Sequence, residues 1–150
     1  MDTPTPTRTT AHTTDEHASR KAEPRLRAVL LTNATTSGAG GLAALIAGGP
    51  VDSLLGTDAV GWVRAVGGGL VAFAVLVALA ARGSTATVRR EAPVISLGDA
   101  AWVVGSVVTI ALGWYSTGGA VLMAVVAAMV GGFGVAQAVL ARRLHSDSDD

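Results

Sequence analysis

Long apolar stretches separated by short polar segments dominate the chain. Four of them are long enough to cross a bilayer as helices, because a helix rises about 1.5 Å per residue and the hydrocarbon layer is about 30 Å thick. These stretches are predicted to span residues 26–49, 60–81, 94–114 and 120–140. None shows the short alternating strands of a barrel, so the pattern predicts transmembrane helices.

The polar segments complete the predicted domain organisation. Residues 1–24 are rich in threonine and proline and are predicted to form a disordered tail. Residues 25–143 form the transmembrane domain, and residues 144–150 form an acidic tail. The predicted fold is all-α: a four-helix transmembrane bundle with a disordered N-terminal tail and no separate soluble domain.

Composition agrees with a membrane protein. Half of the residues are hydrophobic, 15% are charged, and the mean hydropathy is +0.50, whereas about 25% of residues are charged in ordinary globular proteins. The net charge is zero, so no global field favours nucleic acid as a partner. The predicted partner is the lipid bilayer. The abundance of arginine over lysine is typical of a GC-rich bacterial genome.

Basic residues predict the orientation of the helices. The positive charges of loops and tails precede or open span one, join spans two and three, or follow span four: Arg8, Arg20, Lys21, Arg25, Arg27, Arg82, Arg89, Arg90, Arg142 and Arg143. The positive-inside rule then places both termini in the cytoplasm of a multi-pass protein of the inner (plasma) membrane. One alternative is that span one is a cleaved signal peptide, which charge alone does not exclude.

Aromatic side chains and one further arginine lie near the predicted membrane boundaries. Trp62, Trp114 and Tyr115 fall at the outer boundary and Trp102 nearer the cytoplasmic one, as interfacial aromatic rings do. Arg64 lies just inside span two. It is a candidate for binding an anion or for pairing with Asp52 or Asp58, and snorkelling to the interface explains it as well.

Two polar residues within the spans are candidates for a functional site. Asp99 opens predicted span three on the cytoplasmic side, where an intramembrane carboxylate is often functional. In the plainer interpretation, Ser96-Leu97-Gly98-Asp99 is a capping box at a helix start. Asn33 lies at a similar depth in span one, so Asn33 and Asp99 are predicted to hydrogen-bond between helices, either to fix packing or to form a polar site.

Small residues four apart predict close helix packing. The pairs are Ser37 with Gly41 and Ala127 with Gly131. Such pairs let helix backbones approach, either within one bundle or between copies of the chain.

Catalytic and metal-binding patterns are not found in the sequence. His12, His17 and His145 lie in the tails without clustered partners, and cysteine is absent. We therefore expect no metal site, no cofactor and no enzymatic activity.

The segments Leu30-Leu31-Thr32-Asn33 and Asp99-Ala100-Ala101-Trp102-Val103-Val104-Gly105 resemble the uncharacterised small four-helix membrane proteins of bacteria, loosely the DoxX-like group. The resemblance implies a four-helix bundle and brings no catalytic residues. Two hypotheses follow. The first is a structural or accessory protein acting through helix contacts with itself or another membrane protein. The alternative is a carrier or binding protein for a small or lipophilic molecule, with its polar site near Asn33 and Asp99.

Overall fold

The computed structural model of the chain describes the backbone of residues 9–146 and the side chains of residues 22–144. The described residues form five helices and no strand: α1 (Thr9–Ile46), α2 (Gly48–Leu55), α3 (Val60–Arg82), α4 (Thr85–Ala111) and α5 (Thr117–Ser146). Of the predicted tails, residues 1–24 and 144–150, the parts at 1–8 and 147–150 lie outside the described residues.

Four of these helices are long and apolar enough to cross a membrane: Ala22–Ile46 within α1, Val60–Arg82, Thr85–Ala111, and Thr117–Leu144 within α5. Large apolar side chains such as Leu76 and Leu97 point outward and are more than half exposed, as expected where lipid is the solvent. The predicted four-helix transmembrane bundle is therefore confirmed, and the chain is a multi-pass membrane protein.

Helix boundaries differ most from the predicted ones at the starts of α1 and α4. Helix α1 begins at Thr9, so it continues through a stretch expected to be disordered; residues 15–23 are largely helix-forming Glu, Ala, Arg and Lys. Helix α4 begins at Thr85, nine residues before the predicted start of span three, because Ser84 caps it by accepting a hydrogen bond from the Thr87 amide at 3.2 Å. Pro93 lies inside this helix.

Short connections make neighbouring helices antiparallel. Two residues join α3 to α4, and five residues join α4 to α5. The start of the α1 span, the α3–α4 connection and the end of α5 therefore lie at one end of the bundle. We call this the basic end, because it carries Arg27, Arg82, Arg90 and Arg142. At the opposite end, the amide of Ser116 donates to the carbonyl of Leu55 at 2.9 Å, joining the α4–α5 connection to α2.

Two pairs of helices provide most of the packing. Helix α1 packs along α3, α4 packs along α5, and α1 also contacts α5, whereas α3 and α4 contact each other little. The α1 and α3 backbones approach closely at two glycines: a Cβ atom built on Gly41 would lie 2.8 Å from the carbonyl oxygen of Gly67. Near the basic end, an apolar core includes the fully buried Leu26, Leu30 and Val77. The bundle is thus closed around α1 and more open between α3 and α4.

Candidate functional site

Three helices contribute to a buried polar cluster, formed by Asn33, Ser37, Asp99 and Gln137. Asn33 Nδ2 on α1 donates to both carboxylate oxygens of Asp99 on α4, at 3.1 and 2.9 Å. Gln137 Nε2 on α5 donates to Asp99 Oδ2 at 3.0 Å. Ser37 Oγ, one turn from Asn33, donates to Asn33 Oδ1 at 3.1 Å. The predicted hydrogen bond between Asn33 and Asp99 is confirmed.

Local packing explains why these side chains meet. Gly134 lies one turn before Gln137 on α5, and a Cβ atom built on it would be 3.3 Å from Asp99 Cβ. The glycine therefore lets α5 pass close to the carboxylate. Asn33 and Gln137 are fully buried, and Asp99 is 1% exposed. These three side chains are therefore buried between the helices.

The polar cluster lies between the basic end and the middle of the membrane. Asn33 is six residues from Arg27, and Gln137 is five residues from Arg142, which at 1.5 Å per residue correspond to about 9 Å and about 7.5 Å. Half of the hydrocarbon layer is about 15 Å thick. The similar depth that the sequence predicted for Asn33 and Asp99 agrees with their direct contact.

The capping-box interpretation of Ser96 and Asp99 is wrong. Helix α4 begins at Thr85, so both residues lie well inside it, where backbone amides already have intrahelical partners. Ser96 Oγ donates to the carbonyl of Ala92 at 2.9 Å. The Asp99 carboxylate is therefore free of a capping role, and its hydrogen bonds go to two other helices.

An apolar cleft of about 450 Å³ lies beside the polar cluster, where α3 and α4 contact each other little. All four transmembrane helices line it, and Asp99 and Ser37 bring the polar cluster to its wall. Glycines widen it on two sides, because Cβ atoms built on Gly40 of α1 and Gly69 of α3 would meet nothing within 4 Å. The volume falls within the range of about 300–1,000 Å³ that is typical of small-molecule sites.

Two aromatic rings also line the cleft. Trp102 is on α4, one turn after Asp99, and Phe73 is on α3. The Phe73 ring lies against the α4 backbone, since a Cβ atom built on Gly98 would be 3.0 Å from Phe73 Cε2. The position of Trp102 nearer the cytoplasmic boundary of the membrane stays a prediction, and within the bundle Trp102 lines the cleft.

Two buried polar atoms within residues 22–144 have no hydrogen-bond partner: Trp102 Nε1 and Gln137 Oε1. Leaving a buried donor or acceptor unpaired costs about 1–3 kcal/mol, and such atoms are rare in native proteins. Trp102 also lines the cleft, and its Nε1 is one of these two buried, unpaired atoms.

Arg64 is separate from this site. Its exposed side chain packs against Gly48 of α2, where an added Cβ atom would lie 2.7 Å from Arg64 Cγ. Asp52, one predicted partner of Arg64, instead accepts hydrogen bonds from the Thr57 hydroxyl and, at 3.0 Å, from the Ala59 amide. Anion binding by Arg64 stays a prediction.

The predicted packing residues are used within the chain. Gly41 faces the α3 backbone, and Ser37 joins the polar cluster. On α5, Ala127 is buried, and a Cβ atom built on Gly131 would lie 3.5 Å from Val103 of α4. These small residues therefore serve packing inside one bundle, which was one of the two interpretations that the sequence left open.

Sequence reasoning missed the part that Gln137 plays. The available signal was that Gln137 is the sole amide in an uncharged stretch of span four, at a depth that matches Asn33. The described residues contain no group of three or more His, Cys, Asp or Glu side chains that could hold a metal ion. The side chains of His12, His17 and His145 lie outside the described ones.

No protein-family model, curated protein or solved structure matches this chain. The relationship to the DoxX-like proteins therefore stays a prediction.

Proposed function

We propose that the chain is a membrane-embedded carrier or binding protein that takes a small lipophilic molecule from the bilayer into the cleft between α3 and α4. The observation that carries the proposal is the cleft itself, an apolar space of about 450 Å³ with a buried carboxylate in its wall. Sites for small molecules have this character, with a mostly apolar lining and a few polar groups that fix orientation.

The arrangement of the helices supports entry from the membrane. The cleft lies between two neighbouring helices, α3 and α4, that contact each other little. Gly69 of α3 and Ala101 of α4 line the cleft, and both are exposed. A molecule dissolved in lipid can thus reach the cleft without first crossing into water.

Saturable quenching of Trp102 fluorescence tests the proposal. The chain has three tryptophans, and Trp62 and Trp114 are 63% and 50% exposed, so both should tolerate replacement. The double variant Trp62→Phe, Trp114→Phe keeps Trp102 as its sole tryptophan, and we call it the Trp102 reporter protein. The full chain, in phosphatidylcholine nanodiscs, is titrated with decanol brominated on its chain, since bromine quenches indole on contact. A ligand site predicts quenching that saturates, whereas simple partitioning into lipid predicts quenching that rises linearly with probe.

Adjacent glycines provide a matched pair of variants. Gly69 lines the cleft and Gly68 does not, and a Cβ atom built on either meets nothing within 4 Å. Gly69→Leu should fill the cleft and abolish the saturable component, while Gly68→Leu should leave it intact. Linear quenching in the parent protein, or equal effects of the two variants, would contradict the proposal.

A second candidate function is the accessory role acting through helix contacts. Exposed small residues on α5 favour it: Ala124, Ala128 and Gly132 are spaced four apart, and all three are exposed. Such a face suits close approach of another helix.

Disulfide crosslinking tests this second candidate function. The chain lacks cysteine, so a disulfide formed by Ala128→Cys in native membranes reports self-association. Leu122→Cys is the control, since position 122 is about 120° away around the helix. Equal crosslinking of both variants would contradict a specific contact.

We also propose that the basic end faces the cytoplasm of a bacterial inner membrane. The support is the clustering of basic side chains at one end and the positive-inside rule. Accessibility of single cysteines to a membrane-impermeant maleimide in intact cells tests this orientation. Ser53→Cys in α2 should react, and Ala86→Cys at the start of α4 should react only after lysis; both positions are exposed. The reverse pattern would contradict it.

A further inference from the structure

We infer that the molecule bound in the cleft is a lipophilic amine, whose protonated amino group lies against the Asp99 carboxylate and whose hydrocarbon part fills the rest of the cleft. This inference rests on the proposed function and names its ligand class. The charge of Asp99, the aromatic rings and the apolar lining of the cleft support it.

Asp99 is the sole ionisable residue among the described residues that line the cleft. Its described hydrogen-bond donors, Asn33 and Gln137, are neutral amides that orient the carboxylate without neutralising it. The ion pairs found among described side chains join Arg27 to Glu23 and Arg90 to Glu91, away from the cleft. A buried carboxylate without a cation carries a large desolvation penalty, so a cationic ligand supplies the charge that the site lacks.

The aromatic rings of the cleft also favour the protonated amino group of the ligand. Phe73 and Trp102 line the cleft together with Asp99. An ammonium group within about 6 Å of such a ring is attracted to its face, and the attraction grows when the site is dry. A carboxylate with aromatic neighbours recognises an ammonium group better than a neutral hydroxyl or an anion.

The remaining lining is mostly apolar and determines the second part of the ligand, since the hydroxyls of Thr36 and Ser37 already donate to other residues of α1. Leu70 on α3 and Met129 and Val130 on α5 face the cleft. These side chains offer no hydrogen-bonding group that would hold a polar tail, apart from the weak acceptor sulfur of methionine. A hydrocarbon chain or ring system fits this part, so a small hydrophilic amine should bind poorly.

Competition between two matched probes tests the inference. Decylammonium and decanol have the same chain and differ in head group, and each is used to displace brominated decanol from the Trp102 reporter protein in phosphatidylcholine nanodiscs. We expect decylammonium to displace the probe at a concentration at least about tenfold lower than decanol. In Asp99→Asn, which is nearly isosteric, decylammonium should lose this roughly tenfold advantage over decanol. Because both proteins are studied in the same lipid, differences in partitioning cancel in the comparison.

The outcomes separate this inference from the proposed function. If brominated decanol quenches saturably but decylammonium and decanol compete equally, the cleft binds ligands and the amine inference is overturned. If Asp99→Asn keeps the preference for decylammonium, the charge is recognised elsewhere and the inference is again overturned. If quenching never saturates, the proposed function itself fails.

A second measurement uses the unaltered side chain, in case Asp99→Asn does not fold. Carboxyl groups in apolar surroundings add to the central carbon of dicyclohexylcarbodiimide, and the O-acylisourea so formed rearranges to a stable N-acylurea. This adduct on Asp99 is quantified by mass spectrometry of the full chain in nanodiscs. Decylammonium should protect Asp99 at about a tenfold lower concentration than decanol. Equal protection by the two probes would overturn the inference.

Discussion

The amide nitrogen of Gln137 lies 3.0 Å from Oδ2 of Asp99, and this hydrogen bond joins α5 to α4 within the membrane. Asn33 donates to the same carboxylate from α1. A single carboxylate therefore connects three of the four transmembrane helices, and it does so beside the cleft. Packing of the bundle and the candidate site depend on the same side chain.

Removing the Gln137 amide should destabilise the bundle. Gln137→Leu keeps the side-chain size and leaves Asp99 with Asn33 as its remaining described donor, but it also removes the unpaired Oε1 of Gln137. The free energy of unfolding should therefore fall by about 1 kcal/mol, a value between the averages for interhelical hydrogen bonds in membranes and for bonds to charged groups. Equilibrium unfolding in mixed micelles measures the change.

Ser106→Ala is the matched control for that experiment. Ser106 is also buried in α4, but its hydroxyl donates to the carbonyl of Trp102 in the same helix. Its removal should change the free energy of unfolding by less than about 0.5 kcal/mol. Equal losses for Gln137→Leu and Ser106→Ala would contradict the role assigned to Gln137.

Close approach of α1 and α3 predicts a sharp contrast between neighbouring glycines. A Cβ atom on Gly67 would lie 2.7 Å from the backbone nitrogen of Leu45, so Gly67→Ala must push the two helices apart. The expected loss in the free energy of unfolding is about 1–3 kcal/mol, as for other overpacked sites. Thermal unfolding of the purified protein in detergent measures it.

Gly68→Ala provides the reference, because a Cβ atom at that position meets nothing within 4 Å. Alanine is also the better helix former, so this variant should be neutral or slightly stabilised. A melting temperature lowered as much by Gly68→Ala as by Gly67→Ala would show that the two helices do not meet at this surface.

Arg27 fixes the basic end of the bundle. Its Nη1 donates to the carbonyls of Ala81 and Gly83, at 2.6 and 2.8 Å, and so satisfies free carbonyls at the end of α3. Its Nε and Nη2 donate to Glu23. Arg27→Gln should therefore lower the free energy of unfolding by about 1 kcal/mol, a value reduced by partial exposure to solvent.

Hydrogen exchange measures the local effect of Arg27→Gln on the α3–α4 connection. Amides of residues 83–85 should exchange faster in Arg27→Gln than in the parent protein. Arg25→Gln removes the same charge from an exposed position on α1 and should leave their exchange unchanged. If both variants speed exchange alike, loss of charge rather than loss of these hydrogen bonds is the cause.

Hydropathy was sufficient to predict the four spans, because span length and the distribution of charge follow from the properties of the bilayer. The contact between Asn33 and Asp99 was predictable as well, since polar groups at equal depth in lipid seek each other. The Ser96–Asp99 motif misled, because a capping box depends on where a helix starts, and span three was predicted to begin at residue 94 whereas α4 begins at Thr85.

The cleft could not be predicted from the pattern of hydrophobic and polar residues along the chain. Its existence depends on which helices are neighbours and on the weak contact between α3 and α4, and one sequence does not encode that order in any local signal. That Trp102 lines the cleft was unpredictable for the same reason, because it depends on the assembled bundle.

Binding in the cleft is tested most directly by a crystal structure of the full chain grown with brominated decanol, in which anomalous scattering locates the bromine. We expect a peak in the cleft, between Gly69 of α3 and Trp102 of α4, and we expect it to be lost in Gly69→Leu. Bromine found on the outer surface of the bundle and nowhere in the cleft would contradict the central claim that this space binds a lipophilic molecule.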